Sequence, residues 1–532
     1  MAIRSNGYDA DVLIVGAGPT GLALATELTR WGINYRIIDK ELAGVRESRA
    51  LAIQPRTLEV LRPSGVTDGL IANGYGATSV TMHSGRREAD VNLFGGASTD
   101  TEYPFILFLS QARTEELLTE RIAAEGVRVE RSTELIALGQ NKGAVRAILR
   151  SESGTETVHA RFLVGCDGAH SATRRLAGLR FEGESFPETF ALADVEADGL
   201  DSSRIHAFLS DRGVMFFFPL QAPATWRIIL RLPDDESELS LDSLQRAVRE
   251  HTPLPITVRD PVWLSRFVVN SRYAARFQQR RVFVAGDAAH IHSPAGGQGM
   301  NIGVQDAINL GWKLALVCSD RARSGLLTSY DRERRPVARQ VIQLTNRAFR
   351  AAMSARGLVK FVRSNIAPRV APKIFRLKIV RSFAFQTIGE LRTAYSKSPL
   401  SVSGLNAHGP RAGERLPDAA VTVDGTVISL HRALAEPVLT VLLCGPAEVW
   451  DNSLAHESSH WGGAVRFRIL TEAGKQGSLI GTDETFKRLR LDPNKPAQLL
   501  VRPDLHVGYR AAGDDLDGLR DYLAEALRLR QT

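Results

Sequence analysis

Gly16-Ala17-Gly18-Pro19-Thr20-Gly21 stands between a short apolar run, Asp11–Val15, and a stretch with helical spacing, Leu22–Trp31. Gly32 ends that helix, and a second apolar run, Tyr35–Asp39, closes on an acid. In a strand–turn–helix–strand unit each glycine has its own task. Gly16 permits the tight turn, Gly18 lets a pyrophosphate approach the backbone, and Gly21 lets helix and strand pack closely. The helix start offers amides and a positive dipole end to phosphates, and Asp39 is placed to accept ribose hydroxyls. Pro19, Thr20 and Lys40 complete the expected binding set. An acid at position 39 repels a 2′-phosphate, so NADP is disfavoured here and FAD or NAD remains.

Two further segments carry chemistry. Cys166-Asp167-Gly168-Ala169-His170-Ser171 follows the buried run Phe162–Gly165, and either binds a cofactor or simply caps a helix through Asp167 or Ser171. Gly286-Asp287-Ala288-Ala289-His290-Ile291-His292-Ser293-Pro294 continues through Ala295-Gly296-Gly297-Gln298-Gly299-Met300-Asn301 into a helical stretch, Val304–Val317. Its glycines expose amides at a helix start, which suits an anionic or electron-accepting ligand. His290 and His292 lack a carboxylate or thiolate set beside them, so no metal is expected.

The elements that must position these segments are legible in outline. The 532 residues exceed one ordinary core and call for two or three domains. The 44% apolar and 24% charged composition is that of a globular protein, and no apolar run is long enough to span a membrane. Three widely spaced cysteines without CxxC exclude a disulfide framework and fit a reducing cytoplasm. The net charge of +8 comes from basic residues scattered among acids, so nucleic acid is not an expected partner. The exception runs from Arg347 to Lys397, where Glu390 is the sole acid. A basic amphipathic stretch can be a solvated face, a lure for an anionic substrate or a membrane contact; a solvated face is the expectation.

Strands are also predicted at Val127–Glu130, Val145–Arg150 and Val282–Ala285, with a helix over Arg113–Glu125. From Phe186 to Leu232 four alternating runs suggest an antiparallel sheet. Val214–Phe218 puts Met215 and Phe217 on one face and Phe216 and Phe218 on the other, while Arg227, Ile229 and Arg231 share a face of the next strand. Met215, Phe217 and Arg227 are the expected substrate contacts, although a sandwiched core sheet would use the same residues. After Ser401 a Gly/Pro-rich linker leads to the strands Val438–Leu443 and Gln498–Val501 and a final helix, Gly518–Arg528.

Together the three motifs resemble the single-component FAD-dependent aromatic hydroxylases, the family of para-hydroxybenzoate hydroxylase and phenol hydroxylase, over roughly Asp9 to Leu400. The resemblance implies an α/β fold. A Rossmann-like FAD-binding domain would occupy 1–180 and 276–400, with an inserted antiparallel substrate sheet of α+β character at 181–275. It also implies residue roles. GxGxxG would cradle the ADP half of FAD, Asp167 and Gly168 would meet FAD and NAD(P)H, and Asp287 the ribityl chain. Pro294 to Asn301, including Gly297, Gln298, Gly299 and Met300, would lie by the isoalloxazine, with Pro294 and Gly297 beside the reacting centre. Ser48-Arg49-Ala50 with Pro55-Arg56-Thr57 is similar to the family's SRA…PRT segment, and implies Arg49 near the pyrophosphate. Gln111 matches a glutamine on the ribityl-phosphate side.

Residues 401–532 resemble the thioredoxin-like domain appended to phenol hydroxylase and polyketide hydroxylases, through Gly413–Asp418 and Leu500–Asp504. Cys444 stands alone, so a scaffolding, dimerising or lid role is expected there rather than redox chemistry. The chain lacks a second GxGxxG, a CxxxxC and a WxW, which sets it apart from disulfide reductases, typical Baeyer–Villiger enzymes and flavin halogenases. The family implies hydroxylation of a phenolic or polycyclic aromatic by NAD(P)H and O2 through a flavin C4a-hydroperoxide. The substrate-deprotonating group stays open among His83, His206, Arg212 and Tyr273. Baeyer–Villiger oxidation, epoxidation and a flavin dehydrogenase are the competing readings. A cytoplasmic monomer or homodimer is expected.

Overall fold

The computed structural model describes residues 7–44, 50–92, 100–210, 212–220, 224–232, 239–292, 297–353, 362, 366–404, 406–450, 457, 460–461, 463–474 and 477–530. Its first sheet grows from the apolar runs. Ala10–Val15 lies between Tyr35–Ile38 and Gly154–Gly165, parallel to both, and Val282–Val284 is parallel to the latter. These short runs are buried on both faces, as a parallel sheet requires. The helices Pro19–Arg30 and Gly299–Cys318 pack against each other over it. The expected strand at Val127–Glu130 shrinks to one bridge, Ile38 to Glu130, because only the last residue meets the sheet edge.

The second sheet has eight strands in the order His290–Ile291, Thr257–Ala274, Phe181–Asp198, Trp226–Arg231, Gly213–Pro219, Ile205–Ser210, Ser79–Ser84 and Arg87–Asn92. It therefore recruits residues 79–92 and 290–291 from outside the expected 181–275. Ser79–Ser84 joins by parallel pairing to Ile205–Ser210, a long-range contact that local patterning cannot announce. The helix Leu241–His251 covers one face, where Met215, Phe217, Trp226, Ile228 and Leu244 are fully buried together. The other face, through Ile205 and Phe218, meets Leu51, Phe108 and Phe385.

The C-terminal unit is a mixed eight-stranded sheet centred on Leu439–Cys444. All three cysteines are free and buried. The predicted last helix breaks into Asp517–Asp521 and Tyr522–Ala526, after which Arg528 takes φ 56° and the chain pairs back onto Arg321 and Arg323. Among the described residues no helix is long and apolar enough to cross a membrane.

A buried polar network joins this unit to the first. Glu333, on the helix Thr328–Met353, accepts both Arg502 amines at 2.7 and 2.9 Å and Lys313 Nζ at 2.7 Å. Arg502 also donates to Asp504, which takes Asn309 Nδ2 at 3.1 Å. Arg415 forks onto Glu59 at 2.9 and 3.0 Å, and Arg56 donates to Glu59 and to the Asp504 carbonyl. Burial alone would raise the Glu333 carboxyl, but Arg502 and Lys313 hold it well below the usual range. Lys313 is lowered to about 8 by burial, against the pull of Glu333.

Glu390 closes a second junction. It follows the helix Lys378–Ile388 in a left-handed conformation, φ 61°, and accepts from Gln305 Nε2, while its Oε1 has no partner. Burial pushes this carboxyl up to about 8 against Arg334, Gln305 and Arg56, with Asp306 adding to the rise.

Two outcomes follow for stability. Arg502→Met removes the guanidinium that Glu333 and Asp504 share, leaving one buried ammonium, Lys313, against two buried carboxylates, and a cost of about 3–5 kcal/mol is expected. Urea unfolding followed by tryptophan fluorescence should show that loss in one transition, because both domains share the network; two separate transitions would contradict it. Folded Glu390 keeps its proton where the unfolded chain has lost it, so stability falls as pH rises from about 4.5 to about 8. Glu390→Gln removes this contribution, and urea midpoints at pH 5.5, 7 and 8.5 should converge relative to the parent.

Candidate active site

The glycine turn fits a phosphate ligand by its geometry. A Cβ on Gly16, whose φ is 101°, would stand 2.4 Å from the Cys166 carbonyl, and one on Gly21 would stand 1.9 Å from the Gly16 carbonyl. Those two glycines are demanded by packing. Gly18 is different: a Cβ there meets nothing within 4 Å, so it opens onto the space before the helix start at Pro19. Thr20 wedges its hydroxyl against Gly286 and Gly303, coupling the turn to the third motif. Asp39 Oδ2 accepts from Ala17 N at 2.6 Å and Oδ1 from Glu41 N at 2.9 Å, which fixes the carboxylate beside the turn. Lys40 points to solvent and pairs with Glu41, so its ammonium is not held at the cradle. Beside Arg131, 3.9 Å from Asp39, a cleft of about 540 Å³ runs along Gly44, Ala112, Glu115 and Thr119. Gln111 opens the helix Gln111–Ala123 at its rim and donates to Glu115 at 2.8 Å. Arg49 lies outside the described residues. Arg56, in the accompanying segment, is fully buried on Glu59 and Asp504 rather than turned to the cradle.

The second motif is a helix start. Asp167 accepts from Ser171 Oγ at 2.5 Å and Thr173 N at 2.9 Å, capping Ala172–Leu176, and Gly168 turns there with φ 73° and open space around it. Arg174 crosses from it to the third motif, donating to the Ala288 carbonyl at 2.9 Å and lying 3.8 Å over the Phe181 ring.

Behind the third motif lies a residue the sequence reading missed. Asp306, fully buried, accepts from Gly286 N at 3.1 Å, His290 Nε2 at 2.7 Å and Arg334 Nε at 2.6 Å. Burial would raise its carboxyl, yet Arg334 and His290 outweigh it and hold it below the usual range. His290 is thus engaged by a single carboxylate, and no metal-ligand cluster exists among the described residues. Asp287 sits exposed at the start of the turn that Asp306 fixes.

Pro294 lies outside the described residues. Gly297, φ 62°, approaches Ala52 closely enough that a Cβ would stand 3.1 Å from the alanine's. Asn301 lashes the helix start in place: Nδ2 donates to the Gly297 and Ala52 carbonyls at 2.8 Å each, and Oδ1 accepts from Gln54 N at 2.8 Å. Gln298 is the cap of this 20-residue helix, with Gly299 and Met300 in its first turn. Their amides and the dipole end are therefore presented at one fixed place.

That place is one strand away from an aromatic wall. Ala52 pairs with Phe108, whose ring stacks on Phe218 at 5.6 Å, and Phe218 stacks on Phe216 at 5.5 Å. The expected substrate residues Met215 and Phe217 are corrected by this geometry: alternation sends them into the opposite layer, against Leu241–His251. Arg227 does lie on the opposite face from them and donates to the Ala50 carbonyl at 3.2 Å, but Asp194 takes its guanidinium in two bonds of 2.7 Å. Its charge is already paired. The candidate bases disperse as well. His83 and His206 bond each other at 2.9 Å and stack with Phe208 on the far layer, and burial lowers His83 to about 4. Arg212 pairs with Glu250, and Tyr273 lies under Arg339.

Comparison with known proteins places this arrangement. A family profile described as FAD binding domain matches residues 9–345, and one described as aromatic-ring hydroxylase, C-terminal, matches residues 409–528. The chain is 34% identical over 526 residues to 6-methylpretetramide 4-monooxygenase of Streptomyces rimosus, covering 95% of this chain and 91% of that one. It is 30% identical over 522 residues to pentachlorophenol 4-monooxygenase of Sphingobium chlorophenolicum, covering 95% and 94%. Among solved structures, the anhydrotetracycline hydroxylase OxyS of Streptomyces rimosus superposes with a TM-score of 0.76 at 29% identity, over 97% of this chain and 98% of that one. With the FAD-binding profile covering residues 9–345, the hydroxylase C-terminal profile covering 409–528 and a 34% identical relative spanning 95% of its length, the chain belongs to the FAD-dependent aromatic-ring monooxygenases.

Proposed function

We propose that this monooxygenase hydroxylates a phenolic or fused-ring aromatic compound, using NADPH or NADH and O2, as a cytoplasmic monomer or homodimer. The observation that carries the reading is the chain of contacts from the Asn301-lashed helix start through Ala52 to the stacked Phe108 and Phe218. Flat apolar rings beside a fixed positive dipole end suit a planar substrate next to a cofactor that becomes anionic. Two relatives, acting as their names say on 6-methylpretetramide and pentachlorophenol, support an aromatic substrate of either size.

In this reading Gly16, Gly18 and Gly21, with Pro19 and Thr20, cradle the pyrophosphate, and Asp39 holds a ribose. Gln111 approaches the ribityl chain, Asp287 the ribityl hydroxyls, and Asp167 with Gly168 the adjoining edge. When bound, FAD supplies the redox chemistry, passing electrons from the nicotinamide to O2 and one oxygen atom to the ring. The chain's own contribution is position and field. Gly297 and the amides of Gln298, Gly299, Met300 and Asn301 stabilise negative charge. Phe108, Phe216 and Phe218 exclude water and orient the ring. Arg227, neutralised by Asp194, serves as a clamp between the sheet and Ala50 rather than as an anion receptor.

The glycine cradle separates binding from folding. Gly18 has an ordinary φ of −76° and open space beyond it, so Gly18→Val should leave the melting temperature unchanged while FAD affinity falls by roughly a hundredfold or more. Gly21→Val should instead destabilise the apoprotein, since its side chain has no room. Fluorescence titration of apoprotein with FAD, beside thermal melts, measures both. For the reaction, turnover under 18O2 with a panel of mono- and polycyclic phenols should place one 18O atom in the product, read by mass spectrometry. Product without 18O, accompanied by peroxide, would give the site to a dehydrogenase instead.

A further inference from the structure

Between Glu333 and Glu390 the sequence contains no aspartate or glutamate, although lysine and arginine recur throughout. Within it two helices, Ala367–Ile374 and Lys378–Ile388, follow one another across a short connection. Ile366, Val370 and Ile374 recur at every fourth residue and are each 40–42% exposed, so they form one stripe. Arg369 and Lys373 are exposed in the adjoining stripe. At the connection Arg376, Leu377, Lys378 and Ile379 are all exposed, cation alternating with aliphatic. Leu377 is 56% exposed, Ile379 79%, and Phe383, one turn on, 58%.

A solvated helical face, the expectation from sequence, keeps its aliphatic side chains beneath and its charges in water. Here both project together. The inward side is already satisfied: Phe385 is wholly buried, and Ile388 packs with it into the apolar layer behind Phe108 and Phe218. The helix Ala367–Ile374 rests on the edge strand Arg87–Asn92 and its neighbour Ser79–Ser84. The outward side carries cations and hydrocarbon, and the segment itself supplies no acid.

Charge decides among the occupants. A second copy of the chain, docked about a two-fold axis, would set cation against cation. A nucleic acid would neutralise the cations but leave the aliphatic side chains without a partner. An anionic bilayer answers both, with headgroups against lysine and arginine and the acyl boundary around the hydrocarbon. We infer that residues 366–383 seat the protein peripherally on an anionic lipid surface. Leu377, Ile379 and Phe383 enter the acyl boundary, and Lys373, Arg376 and Lys378 lie among the headgroups. This inference does not depend on which aromatic compound the cleft accepts.

The test uses full-length, FAD-loaded protein without substrate, sedimented with vesicles of phosphatidylcholine alone or mixed equally with phosphatidylglycerol. Pelleting is expected with the mixed vesicles only, and it should weaken as salt screens the headgroups. Each cation near an anionic surface is worth about fivefold in partitioning, so Arg376→Ser with Lys378→Ser should lower it about 25-fold. Leu377→Ser with Ile379→Ser should lower it at least about tenfold. Both double variants should keep bound FAD and an unchanged melting temperature, since all four side chains are exposed. Absence of pelleting, or equal pelleting on neutral vesicles, overturns the inference. Loss in the charge variant with full retention in the aliphatic variant overturns it too, in favour of an acidic protein or nucleic acid.

Discussion

The Asp306 carboxylate, wholly withdrawn from water, is the group on which the geometry around the third motif depends. A buried carboxylate is tolerated only when its lone pairs are taken, and here Gly286 N, His290 and Arg334 take them. Each of those partners is thereby fixed. Gly286 sets the turn that carries Asp287, and His290 begins the strand that joins the second sheet at Tyr273. Arg334 passes the constraint onward, to the Ile302 carbonyl near the start of the lashed helix and to the Tyr395 hydroxyl at 2.9 Å. Tyr395 lies against His506, 4.3 Å between ring centres, and beneath Arg502, so one buried charge links turn, helix and C-terminal unit.

The parts of this site that were legible from sequence are those set by local rules. A turn needing φ of 101° with a carbonyl 2.4 Å from any Cβ accepts only glycine, so Gly16 declares itself, and Asp39 follows at the end of the next strand. Asp306, His290 and Arg334 declared nothing by spacing, because their contacts span 16 to 28 residues. A signal was nevertheless present. The helix Gly299–Cys318 is apolar on nearly every side, yet carries Asp306, Asn309 and Lys313. Charged residues in an otherwise buried helix require buried partners, so such a helix foretells an ion network even where the partners are unknown.

The second sheet departed from expectation for a different reason. Alternation correctly separates Met215 and Phe217 from Phe216 and Phe218, but a period of two is symmetric and does not say which face turns toward Leu51 and Phe108. The side on which Leu241–His251 packs settles that, and it is a tertiary fact. The same limit hid the recruitment of Ser79–Ser84, since a strand's parallel partner more than a hundred residues away leaves no mark on either segment.

The C-terminal unit gives the clearest case of a fold retained without the chemistry often associated with it. Cys444 is wholly buried and desolvation pushes its thiol up to about 12, so it cannot supply a thiolate near neutrality. What the unit does supply is a rigid contact. Leu505 is held at φ 59° in the turn between Arg502 and His506, an uncommon conformation for a branched side chain, and that turn inserts against Arg56, Asn309 and Glu333. An apolar interface would hold two domains together while leaving their register loose. Forked guanidinium–carboxylate pairs, each with one acceptable geometry, fix it. Because Arg56 and Pro55 also adjoin Gly389 and Gln54, the register of the C-terminal unit is built into the segment that braces Asn301 and the helix start.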